Sequence, residues 1–230
     1  MKKFLDNLVS MFYPRLCVGC GDALQHHEEL LCTHCMLHLP ETNFHREHEN
    51  PLKLIFAGRV DVQEVASLLY YKKGNTVQHI LHNLKYKGKK ELGDLLGNYY
   101  GKQLVEEPRF QDVDYIIPIP LHPKKERKRG YNQSEWIAMG LSKGLGRPYL
   151  KDVLVRTHFT ETQTKKSRFN RWENVKEVFQ IQYGERVRGK HLLVCDDVLT
   201  TGATTEAAVQ QLLTIEGVRV SVVTLATAQG

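Results

Sequence analysis

The densest chemistry in the chain runs from His191 to Thr205. An apolar segment, Leu192-Leu193-Val194, leads through Cys195 to two carboxylates, Asp196 and Asp197, and then to Thr200-Thr201-Gly202-Ala203-Thr204-Thr205. A short, partly β-branched apolar run suits a strand buried on both faces, and Ala203 to Leu213 carries helical periodicity. The loop of small residues therefore falls at a strand's carboxyl end and a helix's start. Backbone N–H groups there lack intrahelical partners, and the dipole adds roughly half a positive charge, so a phosphate fits without a lysine. Two adjacent carboxylates beside an anion site repel the anion unless they hold something else, and a vicinal diol or Mg²⁺ is what they can take. Ribose 5-phosphate offers the diol and the phosphate together. The plainer alternative is a buried strand and an N-capped helix with solvated acids.

Rival motifs fit less well. An acidic pair after an apolar strand also opens a response-regulator receiver domain, but too little sequence follows Asp197 to build one. No Gly-x-x-x-x-Gly-Lys-Ser/Thr loop is present, and Gly144-Leu145-Gly146-Arg147 does not complete a dinucleotide fingerprint.

A second chemistry lies near the front. Cys17-Val18-Gly19-Cys20 and Cys32-Thr33-His34-Cys35 are two Cys-x-x-Cys knuckles, and four thiolates so spaced suit tetrahedral Zn²⁺. Two disulfides, or reduced and unliganded cysteines, are the alternatives. The opening Met1-Lys2-Lys3-Phe4-Leu5-Asp6 has an early acid and no sustained apolar core before Pro14, unlike a secretory signal. That points to the cytoplasm, where disulfides are disfavoured and zinc is the better reading. His26, His27, His34 and His38 read as surface residues, and Cys195 as a small core residue. Phe4 to Tyr13 reads as an amphipathic helix too short to span a bilayer. Packing on the knuckle is its default role, and peripheral membrane contact aided by Lys2 and Lys3 the alternative.

The elements that must position these groups follow from composition and periodicity. With 230 residues, 41% hydrophobic and 25% charged, the chain can bury one substantial core plus a small appendage. The polar, aperiodic stretch from Glu41 to Pro51 reads as a linker, dividing a unit of residues 1–45 from one of residues 52–230. Beyond it, Glu64 to Tyr71, Tyr115 to Ile119, Leu192 to Val198 and Val218 to Ala226 read as strands. Thr76 to Tyr86, Lys90 to Leu104 and Asn132 to Leu145 read as helices. Alternating strands and helices predict a parallel α/β sheet, whose ligands collect beyond the strands' carboxyl ends.

Two further segments at such ends carry charge. Lys124, Lys125, Arg127, Lys128 and Arg129, capped by Gly130, form a basic loop suited to diphosphate, to nucleic acid or merely to solvent. Asn132 and Gln133, which follow, fit either a helix cap or a site. The segment from Val155 to Val175, with Arg156, Gln163 and Arg171, is polar, basic and weakly periodic, as a lid or a plain surface excursion would be. A net charge of +6 favours anionic partners, although no row of stacking aromatics is visible for single-stranded nucleic acid.

The Asp196-to-Thr204 stretch closely resembles the PRPP-binding motif of the type I phosphoribosyltransferases. The whole set resembles the ComF family of competence proteins: the Cys knuckles, Pro118-Ile119-Pro120-Leu121-His122, Arg129-Gly130-Tyr131-Asn132-Gln133, the Arg156-Thr157 to Asn174-Val175 segment and the acidic loop. The resemblance implies a type I phosphoribosyltransferase-like parallel sheet with flanking helices, preceded by a small zinc-finger domain. It implies that Asp196 and Asp197 take the ribose hydroxyls and that Thr200, Thr201, Gly202, Ala203 and Thr204 take the 5-phosphate. It places Arg127 and Arg129 against diphosphate and Arg156 and Gln163 in a hood, and it singles out Leu84-Lys85-Tyr86-Lys87-Gly88. Structural Zn²⁺, Mg²⁺ with PRPP, single-stranded DNA and proteins of the competence machinery are the implied partners. The expected function is PRPP binding in the handling of imported single-stranded DNA. An active nucleobase or amine phosphoribosyltransferase and a non-catalytic nucleic-acid adaptor are the alternatives, and the sequence identifies no catalytic base.

Overall fold

The computed structural model describes residues 14–156 and 179–228. Among them are the strands β1 (Val65–Tyr71), β2 (Tyr115–Pro118), β3 (Leu154–Arg156), β4 (Phe179–Ile181), β5 (His191–Leu199) and β6 (Arg219–Ala228). The helices are α1 (Thr33–Leu37), α2 (Thr76–Tyr86), α3 (Glu91–Leu104), α4 (Pro123–Arg129), α5 (Gln133–Leu145) and α6 (Ala203–Leu212). Four strands form one sheet in the order β1-β6-β5-β2 with every neighbour parallel, while β3 and β4 form a separate antiparallel pair. No helix among the described residues is long and apolar enough to cross a membrane.

The sheet forms where the sequence is apolar without alternation. In β5 and β6, Leu192, Leu193, Val194, Cys195, Val220, Val222 and Val223 are all fully buried, as a central strand covered on both faces requires. Cys195 is thereby a core residue. Register pairs Cys195 with Val223 and Asp196 with Thr224, so the apolar run ends and the acids begin near the sheet's carboxyl edge.

Helices α3 and α5 pack unusually closely, and glycine is the reason. A methyl placed on Gly97 would lie 2.4 Å from the Ile137 carbonyl oxygen, one on Gly140 2.2 Å from that of Asp94, and one on Gly144 2.4 Å from that of Asn98. Because the obstructing atoms are backbone, the helices must separate to admit a side chain, and their other contacts then loosen. Gly97→Ala is expected to cost about 3 kcal/mol, the upper range for overpacking. A thermal melt checks this, and an unchanged midpoint would mean the pair parts freely.

Two expectations are corrected. The basic run Lys124–Arg129 is not a loop but the helix α4: Pro123 sits at its first position, His122 caps it by accepting from the Lys124 N–H at 3.1 Å, and Gly130 ends it at φ 86°. The stretch from Glu41 to Pro51 is not a free linker. Its first residues and Pro40 before them follow β1, through Tyr70 N–H to Pro40 O (2.8 Å) and Thr42 N–H to Leu68 O (2.9 Å). Asn50 is buried and donates to the carbonyls of Val65 (2.9 Å), Glu47 (3.0 Å) and Phe44 (3.2 Å). Such one-residue uses of a polar side chain leave no periodicity to read.

Candidate functional site

The carboxyl end of β5 brings the acids against two helix ends. Asp197 is buried, pairs with Lys85 Nζ from the last turn of α2 at 2.8 Å, and accepts from Gln133 Nε2 at 2.7 Å. Asp196 accepts from Ser134 Oγ and from the Asp197 N–H, both at 2.8 Å. Burial, and then the charge of Asp197, push the Asp196 carboxyl up to about 7, against the pull of Ser134, the Asp197 amide and Lys85. Asp196 thus resists ionisation where it sits, and a cation or a hydrogen-bonding diol would favour its charged form.

Local sequence explains why α5 reaches them. Asn132 is the helix cap, its Oδ1 accepting from the Ser134 N–H at 3.1 Å while its Nδ2 ties it to Ile119 O at 3.0 Å. With Asn132 fixed, Gln133 and Ser134 occupy the first turn and face β5. The sequence left Asn132 and Gln133 ambiguous between cap and site, and the structure divides the roles between them. Ser134 was missed altogether; its signal was its place in the first turn, beside a cap and opposite a strand end.

After the acids the chain turns through Thr200–Thr204. Gly202 adopts φ 76° just before α6, and a Cβ there would meet Ile55 Cγ2 at 2.6 Å, so both backbone conformation and space call for glycine. Thr200, Thr201, Ala203 and Thr204 are exposed. Among the described residues their amides and that of Gly202 donate to nothing, which leaves the donors at the N-terminus of α6 open to an anion. Arg59 holds the neighbouring segment to this loop, donating to Thr201 O at 3.3 Å and pairing with Glu206. A shallow cavity of about 510 Å³ runs along Lys53 and Phe56 to Val62 on that segment, and neither acid lines it.

The remaining predicted residues divide. Arg156, on β3, is half-buried with its guanidinium 5.3 Å from the Phe179 ring centroid; burial holds its pKa below the usual value while the charge of Asp196 acts the other way. Arg156 is therefore within electrostatic reach of Asp196. Lys124, Lys125, Arg127 and Lys128 are exposed on α4, which follows β2, and Arg129 is half-buried against Tyr86. Gln163 and Arg171 lie outside the described residues, as does the helix expected over Phe4 to Tyr13.

The four front cysteines converge. Their sulfurs all lie within 4.8 Å of one another, with Cys20 Sγ 3.7 Å from Cys32 Sγ, close to the roughly 3.8 Å edge of a tetrahedron of zinc–sulfur bonds. All four are free thiols. N–H groups of Cys32 and Gly19 point at Cys17 Sγ at 3.2 and 3.4 Å. For Cys17, burial opposes ionisation, but backbone donors from Cys20, Cys32 and Gly19 outweigh it and bring the thiol down to about 7. This donor set fits a structural zinc ion. Glu28 closes the turn between the knuckles, accepting from Gln25 N–H (2.8 Å), Thr33 N–H (2.6 Å) and Thr33 Oγ1 (2.8 Å), which hold its carboxyl down to about 2.

Comparison with known proteins agrees with this geometry. Residues 132–229 match the family model described as the phosphoribosyl transferase domain, a span that opens at the Asn132 cap and contains both acids and the loop. The DNA utilization protein YhgH of Escherichia coli O157:H7 is 31% identical over 137 residues, covering 58% of this chain and 60% of that protein, so the chain matches about three fifths of that relative's length. Competence protein F of Haemophilus influenzae is 34% identical over 90 residues, 39% of each chain. Among solved structures, glutamine phosphoribosylpyrophosphate amidotransferase from B. subtilis, complexed with ADP and GMP, aligns at 21% identity and TM-score 0.39, covering 57% of this chain and 26% of that one. Residues 132–229 therefore resemble a phosphoribosyl transferase domain, in a chain that also carries a four-cysteine cluster and is similar to the DNA utilization and competence F proteins.

Proposed function

We propose that this protein binds PRPP with Mg²⁺ in its phosphoribosyl transferase domain, holds Zn²⁺ on its four clustered cysteines, and serves in the handling of imported single-stranded DNA. The observation that carries the first part is the continuity of one strand, loop and helix: Asp196 and Asp197 at the end of β5, then the undonated amides of Thr200 to Thr204 at the start of α6. The carboxylates accept the ribose 2- and 3-hydroxyls, and the amides take the 5-phosphate in the field of the helix dipole. Exposed Lys124, Lys125, Arg127 and Lys128 offer positive charge to the diphosphate, and Arg156 adds a cation near the sugar. Mg²⁺ would neutralise the diphosphate, with the carboxylate pair the donors suited to it or to the diol. The part in DNA handling rests on the names of the relatives and on the exposed cations of α4.

Titration calorimetry tests this reading. PRPP with Mg²⁺ should bind, ribose 5-phosphate more weakly because it lacks the diphosphate, and inorganic phosphate only at high concentration. No heat with PRPP would overturn it.

A further reading is an active transferase, favoured by the exposed cations of α4 just past β2, which would stabilise a departing diphosphate. The acceptor's lone pair would form a bond to C1, the C1–O bond to diphosphate would break with its electrons leaving on diphosphate, and the acceptor's proton would pass to a base. Diphosphate release from PRPP in the presence of nucleobases or amines is the expected sign; none across such a panel would exclude it.

A further inference from the structure

The last residue of α2, Tyr86, is a large aromatic left 68% exposed. Its ring is not bare: the Arg129 guanidinium lies 5.5 Å from the ring centroid, and His82 sits 5.2 Å away at a 48° tilt. The Tyr131 hydroxyl donates to Leu84 O, so the last turn of α2 and the residues just past α4 are held together as one surface. Four residues beyond Tyr86, Lys90 places its ammonium 4.5 Å over the ring of half-buried Trp136. Lys87 and Lys89 are exposed on the α2 side, Lys125, Arg127 and Lys128 on the α4 side, and the acids of these two segments are Glu91 and Glu126. None of those five cations forms an ion pair among the described residues, and Arg129 leaves its buried Nη1 without a hydrogen-bond partner.

We propose that this surface is a stacking platform for single-stranded nucleic acid, with a base on the face of Tyr86 and the flanking phosphates on Lys87, Lys89 and the cations of α4. This rests on the single-stranded DNA reading above and gives it a location. An exposed ring flanked by unpaired cations is the pairing that unstacked bases and their backbone require, since every base has a π-face and every linkage a negative charge. In a duplex the bases stack on one another, and the ring has nothing to take. An acidic peptide would use the cations but not the ring. The platform also adjoins the sugar site through the chain itself, because Lys85, one residue before Tyr86, is the ion-pair partner of Asp197. A strand seated here lies next to the carboxylates.

Fluorescence anisotropy with a labelled oligothymidylate, on the full chain, decides the matter. Tyr86→Ala should weaken binding roughly tenfold, and Tyr86→Phe should retain it. Lys87→Gln with Lys89→Gln should flatten the dependence of log affinity on log salt, by about 0.7 for each phosphate contact removed. Tyr86 is exposed, so the melting midpoint of Tyr86→Ala should match wild type and its PRPP heat should persist. If wild type binds the oligonucleotide and Tyr86→Ala binds it equally well, the platform is wrong while the DNA reading stands. If wild type binds no oligonucleotide, or prefers duplex or anionic vesicles, both fall.

Discussion

Asp196→Asn is expected to weaken PRPP binding by more than a hundredfold while leaving the protein at least as stable as wild type at pH 8. The first effect follows from losing charge-assisted hydrogen bonds to the diol, each worth about 1.5–3 kcal/mol, together with half of the local charge available to Mg²⁺. The second follows from the sign of the pKa shift. Asp196 is raised from 3.8 to about 7 by burial and by Asp197. Between those values the folded protein keeps a proton that the unfolded chain has released, so stability declines as pH rises through that window and the penalty is fully present above it. An asparagine keeps the acceptor for Ser134 Oγ without the charge and abolishes the slope. Calorimetry at pH 8, with thermal melts from pH 4 to 8, separates the two effects. Wild-type PRPP affinity should also rise with pH through about 7, because the diol and Mg²⁺ both favour the ionised pair. A variant that loses binding and stability together would mark Asp196 as a structural residue.

Removing the metal should unfold the front of the chain and leave the sheet standing. A structural zinc site contributes about 10–16 kcal/mol of apparent binding free energy, more than a knuckle of this size can replace by packing. Purified protein should carry one zinc ion per chain. Chelation under mild denaturant, or Cys32→Ser with Cys35→Ser, should abolish hydrogen-exchange protection over the two knuckles. The loss should spread to the start of α2, because Gly19 packs against Thr76, where a methyl would lie 2.8 Å from Cγ2, and Gly19 O lies 3.3 Å from His79 Nδ1. Strands β5 and β6, buried on both faces, should keep theirs. Intact protection after chelation, or cysteines recovered as disulfides, would contradict the zinc reading.

What the sequence made legible was whatever is repeated along it. The run Leu192 to Val194 reads as a doubly covered strand because each residue is apolar, and the Thr-Gly loop reads as a helix start because strand, acids, glycine and helix occur in order. The knuckles read directly from cysteine spacing. What it hid depends on single residues meeting partners far along the chain. The glycines of α3 and α5 look like weak helix positions until the helices cross, and only then is each seen to lie against a backbone carbonyl. The charge density from Lys124 to Arg129 drew attention away from Pro123 and Gly130, the start and stop of a helix. Asn50 ties an apparent linker to β1 through one side-chain bond, to Val65 O, and folds the segment on itself through two more, to Phe44 O and Glu47 O. Lys85, Gln133 and Ser134 became partners of the acids through contacts spanning from 62 to well over 100 positions. The sequence shows no row of stacking aromatics, and the one ring proposed as a platform, Tyr86, meets its cation, Arg129, only across two helices.

The most direct test is a crystal structure with PRPP and Mg²⁺ bound. The 5-phosphate should lie within hydrogen-bond distance of the amides of residues 200–204, and the ribose hydroxyls should meet Asp196 and Asp197. PRPP held elsewhere, for instance along Lys53 and Phe56 to Val62, with the loop amides turned to solvent, would contradict it.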